Sequence, residues 1–298
     1  MKQYEKDMDK LSESDAKLFH KLMDSLLFFA NKKLNIIKNC ASMNELHKND
    51  IEKTVRIRKK VFSDSEIIDD YIKENPDRLS NDEMQILASW KKSLEGEFML
   101  VKYEQEFALF LHSKLQRVYG VKGITDSFKE KFEGHSPIMI KIRLLPFKDN
   151  LIYDGIFFPY QITFGSGMRS SIKVEADSAI QKYGIITSLE SPIVEKKTSD
   201  EDMLRFYFKS QDTRDRYFEE MEKLRKKSPQ LEAVYHQETA GVLARDIKKS
   251  LKAQGIKGHF AVLVNAVVAS ALTEKELEEN IKKIVPESKQ SWIYRFRI

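Results

Sequence analysis

The chain predicts an α+β fold in three parts: a helical amino-terminal part, a central small antiparallel β-barrel or curved sheet, and a carboxy-terminal α/β part. Three observations carry this. Apolar residues recur at three and four residue spacing through roughly the first ninety positions, the period drops to two after Gly96, and helix and strand patterns mix again beyond a charged stretch at PIVEKKTSDED. The expected domains are 1–96, 97–190 and 203–298, with 191–202 as a linker. A length of 298 residues exceeds one ordinary core, and 41% hydrophobic with 33% charged residues describes globular cores under a heavily charged surface.

Residues 1 to about 38 read as helix, with Leu18, Phe19, Leu22, Met23, Leu26, Phe29 and Ala30 on one face and Ser12 or Ser14 as caps. His20 and Asp24 share a helix face at i and i+4, but no further ligand is spaced to complete a metal site, so a solvated pair is favoured. Positions 40–50 read as a polar loop. The run DIEKTVRIRKKVF reads as a helix whose Arg56, Arg58, Lys59 and Lys60 can contact an anion, although a solvated basic face is the favoured reading. Glu66 to Glu74 is helical up to Asn75-Pro76, because proline disfavours helical backbone in the residue before it. Ser80-x-x-Glu83 is a capping box, followed by Met84, Leu87, Trp90 and Leu94 at helical spacing until Gly96.

The centre is read as strands: Phe98–Tyr103, Glu106–His112 and Arg117–Val121, the second apolar on both faces. Burial on both sides suits a closed barrel or a helix-covered sheet. Thr125 or Asp126 caps a short helix through Phe132. Ile138–Phe147 is a long strand, Lys148-Asp149-Asn150 a turn, and Leu151–Tyr153 the returning strand. Asp154 and Gly155 read as a second turn, and Ile156–Phe164 as a strand in which Pro159 requires an edge or a bulge. Gly165-Ser166-Gly167 leads into a helix of about Ser170–Tyr183, stopped by Gly184.

The segments LSNDEMQILASWK, RVYGVKGITD, LLPFKDNLIYDG, PYQITFGSGMRSSI and YGIITSL, with the helices AKLFHKLMDSLLFFANKK and IIDDYIKENP, resemble a family of uncharacterised conserved prokaryotic proteins. The likeness spans residues up to about Leu189. It implies no activity and no catalytic residue for this chain. Some members of that family carry a cysteine-rich metal-binding tail, which a chain whose single cysteine is Cys40 does not share.

Beyond the linker, Arg205–Lys209 reads as a strand, Asp212 as the cap of a helix to about Lys227, and Ser228-Pro229 as the start of a helix to about Ala253. Phe260–Val268 is a buried strand or a buried helix, a choice periodicity leaves open. Thr273-x-x-Glu276 caps a helix ending near Val285, and Trp292–Ile298 is a closing strand.

Three stretches carry candidate chemistry. Gly165-Ser166-Gly167-Met168-Arg169 sits at a strand-to-helix junction, where backbone N–H groups, a helix N-terminus and the Arg169 fork can together hold a phosphate. The spacing matches neither a P-loop nor a dinucleotide fingerprint, and the glycines serve equally to turn the chain. Asp154, at a strand end, is a weak catalytic candidate as base or ligand, but no second acid with E-x-K spacing follows it. Arg205, Tyr207 and Lys209 alternate with aromatics, as do Arg295 and Arg297. Neighbouring strands of this kind would offer a nucleic-acid face, although an apolar inner and charged outer face explains the same alternation.

A net charge of +5 permits an anionic partner without requiring one. One cysteine excludes an internal disulfide and a multi-thiolate zinc site, and no H-E-x-x-H, G-x-S-x-G or P-loop is present. The charged segment MKQYEKDMDK has no apolar secretory core, and the longest apolar run, FAVLVNAVVASAL, is too short to span a bilayer. The expectation is a cytoplasmic, non-enzymatic binding or adaptor protein without metal or cofactor. It would contact a phosphate-bearing, nucleic-acid or protein partner through Gly165, Ser166, Gly167, Arg169, Lys148 and Arg143. The alternative is a hydrolase or nucleotide-handling enzyme using Asp154 and Arg169 in one cleft, and whether the protein is an enzyme stays open at this point.

Overall fold

A computed structural model describes residues 8–48, 50–190, 192, 195 and 198–298. The chain divides into two compact units, Met1–Lys196 and Lys197–Ile298. The first contains α1 (Glu13–Leu34), α2 (Met43–Lys48), α3 (Ile51–Ser63), α4 (Glu66–Glu74), α5 (Asn81–Ser89) and a 3-10 turn (Trp90–Lys92). It continues with β1 (Leu94–Tyr103), β2 (Ala108–His112), β3 (Arg117–Val121), α6 (Phe128–Lys131), β4 (Ile138–Phe147), β5 (Asn150–Pro159), α7 (Ser166–Tyr183) and β6 (Ile185–Ile186).

Six strands form one sheet in the order β5-β4-β1-β2-β3-β6, antiparallel except for the β3–β6 pair. The sheet is open, and the expected barrel does not form. Strand β2 is buried on both sides because helices cover both faces of the sheet there. Phe110 and Ala108 of β2 join the core built by the amino-terminal helices, with Phe19, Leu22, Leu87 and Trp90. Leu109 and Leu111 point the other way and pack with Val118 against Ala176 and Ala179 of α7. The sheet does curl, since the Lys122 N–H donates to the Leu151 carbonyl at 2.8 Å, but that single bond leaves β5 and β6 as edges. The first five helices share one hydrophobic core with the strands, so the change of period near Gly96 divides secondary structure without dividing a core.

Local chemistry accounts for most boundaries. The Ser80–Glu83 capping box opens α5 as read, and Asn75 ends α4 in left-handed conformation. Positions 40–50 differ from the expected loop: Ser42 Oγ accepts the Glu45 N–H, Glu45 returns a bond to the Ala41 N–H, and α2 buries Leu46. The first helix starts later than expected, at Glu13 behind its Ser12 cap, with residues 1–7 outside the described residues. The expected second turn at Asp154-Gly155 is a bulge inside one continuous strand, and Pro159 closes that edge strand.

The second unit holds α8 (Asp200–Tyr207), α9 (Gln211–Arg216), α10 (Phe218–Arg225) and α11 (Pro229–Ala253). They are followed by β7 (His259–Leu263), β8 (Ala266–Ala271), α12 (Glu274–Ile284), α13 (Glu287–Gln290) and β9 (Tyr294–Arg297). The sheet order is β8-β7-β9, all antiparallel. Phe260 and Val262 pack on Ala240 and Ala244 of α11, while Ala261 faces Leu277 and Ile281 of α12. Arg205–Lys209 is no strand. Ser199 caps α8 by accepting the Asp202 N–H, and Leu204, Tyr207 and Phe208 at i, i+3 and i+4 bury one side. The anticipated linker at 191–202 lies partly outside the described residues and ends in α8. Among the described residues, no helix is long and apolar enough to cross a membrane.

Candidate anion-binding cleft

Helix α3 starts from Asp50, whose side chain accepts the Glu52 N–H, and anchors itself through fully buried Ile57 and Val61. One flank then presents Val55, Arg58 and Lys59 to the edge of the sheet. Strand β5 meets it with Asp154, Ile156 and Phe158, β4 with Lys141, Ile142 and Arg143, and β1 with Glu95, enclosing a cavity of about 360 Å³.

The β5 bulge shapes the floor. Between the pairs Ile142↔Phe157 and Leu144↔Tyr153, β5 carries extra residues, and Asp154 Oδ1 accepts the Ile156 N–H at 3.1 Å to close the bend. Gly155 takes φ +91°, and a Cβ there would stand 3.3 Å from Arg58 Nη1 and 3.6 Å from Phe19 Cε1. Glycine satisfies both the left-handed backbone and the close approach of Arg58.

Arg58 and Asp154 face each other with Nη1 and Oδ1 3.9 Å apart, their side chains 12% and 7% exposed. At that separation charge attraction persists but no hydrogen bond forms. Arg58 Nε and Nη1 are both buried and, among the described residues, have no hydrogen-bond partner. Burial pushes the Asp154 carboxyl above its ordinary range, opposed by Arg58 and the Ile156 N–H. Burial likewise lowers the Arg58 value, opposed by Asp154, yet a guanidinium stays charged in a protein. The pair is thus mutually attracted and still short of acceptors.

The other cations differ in availability. Arg143 is committed to the wall: Nη1 donates to Ser93 Oγ at 3.2 Å, Nη2 donates to Glu95, and its guanidinium lies 4.8 Å from the Phe62 ring centre. Lys141 reaches Glu95 at 3.5 Å and is half exposed. Lys59 is exposed and has no ion pair among the described residues. The cavity therefore combines four cationic side chains and two carboxylates with apolar walls from Val55, Ile142, Ile156 and the half-exposed Phe158 ring.

Of the residues singled out from the sequence, Arg143 and Asp154 line this cleft and the others do not. Gly165 is the N-cap of α7 without a side-chain cap bond, Ser166 and Gly167 form its exposed first turn, and Arg169 Nε donates to the Phe164 carbonyl at 2.8 Å. Lys148 is paired with Asp15 and lies 5.9 Å from the Phe147 ring centre. Arg169, expected to share one cleft with Asp154, is not among the residues that line the cavity holding Asp154. The basic and aromatic face drawn from Arg205, Tyr207 and Lys209 is absent, because α8 buries Tyr207. Arg295 is instead held by both carboxylate oxygens of Glu278. His20 stands 3.5 Å from Thr125 Oγ1, and among the described residues no cluster of His, Cys, Asp and Glu could hold a metal.

The basic run of α3 is visible in the sequence, but nothing local places it against Asp154, ninety-six positions away. Lys141 and Glu95 carried no local signal. Comparisons of the chain with protein-family models, with curated proteins and with solved structures gave no match, so the cleft is interpreted from its own chemistry.

Proposed function

We propose that the protein is a binding protein for a small anionic group attached to an apolar or flat body, taken up in the cleft between α3 and the β4–β5 edge. The observation that carries this is Arg58: a charged guanidinium held almost out of water at a cavity wall, with Nε and Nη1 lacking acceptors. A buried, unsatisfied donor costs about 1–3 kcal/mol, more when charged, and an oxyanion that draws the side chain toward it recovers part of that cost. Lys59 and Lys141 add charge at the rim, while Val55, Ile142, Ile156 and Phe158 favour an apolar body behind it.

Phenyl phosphate is the probe that combines both features. Titration calorimetry should detect saturable binding, weakened at least about tenfold by Arg58→Lys, which keeps the charge and loses the fork geometry. Lys141→Gln, at a half-exposed position, should weaken it less. Equal affinity in wild type and both variants would refute the reading.

A second reading rests on Asp154, whose carboxyl is held above its ordinary range by burial and lines the same cavity. It would donate its proton to the phenolic oxygen of a bound phosphate ester as water attacks phosphorus and the P–O bond to that oxygen breaks, giving phenol and phosphate. Asp154→Asn would then bind phenyl phosphate and release no phosphate where the wild type does.

A further inference from the structure

The opposite flank of α3 carries a second cavity of about 490 Å³, lined by Leu34, Ile36, Arg56, Lys59, Lys60 and Ser63. Arg56, Lys59, Lys60 and Ser63 fall at i, i+3, i+4 and i+7, one continuous stripe of the helix. Like charges at this spacing oppose one another, and elsewhere in this unit such lysines have acids beside them. Lys33 pairs with Asp70 and Glu74, Lys91 with Asp69, and Lys21 with Glu83. Among the described residues the stripe on α3 has none: no acid lines the cavity, and Arg56, Lys59 and Lys60 have no ion-pair partner. Lys59 also lines the first cleft, so the two cavities meet at one side chain on the crest of the helix.

Resting on the cleft reading above, we propose that α3 is the ridge of a single-stranded nucleic-acid site. One base enters the first cleft beside Phe158, and consecutive phosphates run over Arg58 and Lys59 to Arg56 and Lys60. The cations supply a path longer than one phosphate, and the half-exposed Phe158 ring with Val55, Ile142 and Ile156 supplies a surface for a flat heterocycle. A duplex keeps its bases stacked and could not fill that cleft, whereas an unpaired strand presents both groups. A small anion would occupy the first cleft and leave Arg56 and Lys60 without a role.

The test uses the full chain and a fluorescein-labelled oligouridylate of about eight nucleotides, a length suited to a single-domain site, followed by anisotropy across a potassium chloride series. Affinity should fall with salt, and Arg56→Gln with Lys60→Gln should lower the slope of log K against log salt by about 1.4, at about 0.7 for each phosphate no longer neutralised. Phe158→Ala should weaken binding about 5- to 150-fold without changing that slope. Lys59→Gln should weaken both the oligonucleotide and phenyl phosphate. All these side chains are exposed, and circular dichroism checks that each variant is folded. An unchanged slope in the Arg56/Lys60 variant, or an unchanged affinity in Phe158→Ala, overturns the proposal. So does inorganic polyphosphate competing as well against Phe158→Ala as against wild type. Phenyl phosphate binding that still depends on Arg58 in those cases leaves the cleft reading standing, whereas its absence removes that reading first.

Discussion

Gly155→Ala places one methyl group where the bulge of β5, the buried Arg58 and the cleft floor meet. Two effects add. At φ +91° an L side chain costs about 1–2 kcal/mol from the left-handed backbone alone. The new Cβ also stands 3.3 Å from Arg58 Nη1, tighter than ordinary contact, and 3.6 Å from the Phe19 ring. Arg58 is the softer neighbour, so the guanidinium should yield and move off the 3.9 Å approach to Asp154. Gly134→Ala separates the two effects, because Gly134 has φ +72° with nothing within 4 Å of its Cβ position. Gly155→Ala should therefore lose about 2 kcal/mol, and Gly134→Ala about 1 kcal/mol. For a unit of this size that corresponds to a Tm lower by about 4–8 °C and about 2–4 °C respectively. The assay is thermal unfolding followed by Trp90 fluorescence in a Trp292→Phe background, since the chain has two tryptophans and Trp90 is buried in the first unit. Phenyl phosphate affinity should fall in Gly155→Ala and stay unchanged in Gly134→Ala. Equal melting shifts in the two variants, with anion binding intact in both, would show that Gly155 does not position Arg58.

Asn31→Ala should cost about 2–4 kcal/mol, because its buried amide both donates to the Ile37 carbonyl at 3.0 Å and accepts the Ile37 N–H at 2.8 Å, leaving two buried groups unsatisfied; urea unfolding measures it. Ser80→Ala removes the capping-box acceptor of α5 and should cost about 1 kcal/mol by the same measurement. His112 supplies a pH dependence. Burial pushes its value below the ordinary 6.5, and Nδ1 accepts the Lys114 and Leu115 N–H groups at 3.1 and 3.3 Å, which only the neutral ring can do. The folded value is depressed, so stability is fully present above the unfolded value near 6.5 and is lost as pH falls through the folded one. Trp90-detected stability should decline below about pH 6.5, and His112→Asn, whose amide oxygen can take the same N–H groups, should flatten that decline. An acid limb of unchanged steepness in His112→Asn would assign the effect to another group.

Elements closed by local chemistry were legible in the sequence. The Ser80–Glu83 and Thr273–Glu276 boxes, the Asn75 stop and the Ser228-Pro229 start name their own bonding partners within four residues. Where two patterns coexisted, periodicity chose wrongly. Arg205, Tyr207 and Lys209 alternate with Phe206 and Phe208 as in a strand, but Leu204, Tyr207 and Phe208 also satisfy a helix, and Ser199 with Asp202 at its start tips the balance. The doubly apolar pattern of β2 predicts its burial on both faces and fits a barrel and a helical cover equally. That cause lies in α7 and the amino-terminal helices, which no strand pattern encodes. Asp154-Gly155 has the composition of a turn, and the same αL backbone and side-chain bond serve equally in a bulge once β4 runs on past it.

The candidate site follows the same division, and desolvation explains why the stronger sequence motif is the weaker site. Gly165 to Arg169 displays donors in an exposed first turn, where water competes for each of them, and Arg169 is spent on the Phe164 carbonyl. An ion pair in that setting contributes little. Arg58 has no motif around it beyond a basic run, but α3 presses it against β5 until it is 12% exposed, where water competes least. Its charge cannot be relieved by deprotonation, Asp154 approaches without bonding it, and the nearest uncommitted cations lie on the same helix. Burial created by the contact of α3 with the sheet edge thus turns a solvated basic face into a place where an incoming oxyanion can gain free energy, and that contact exists only in the folded chain.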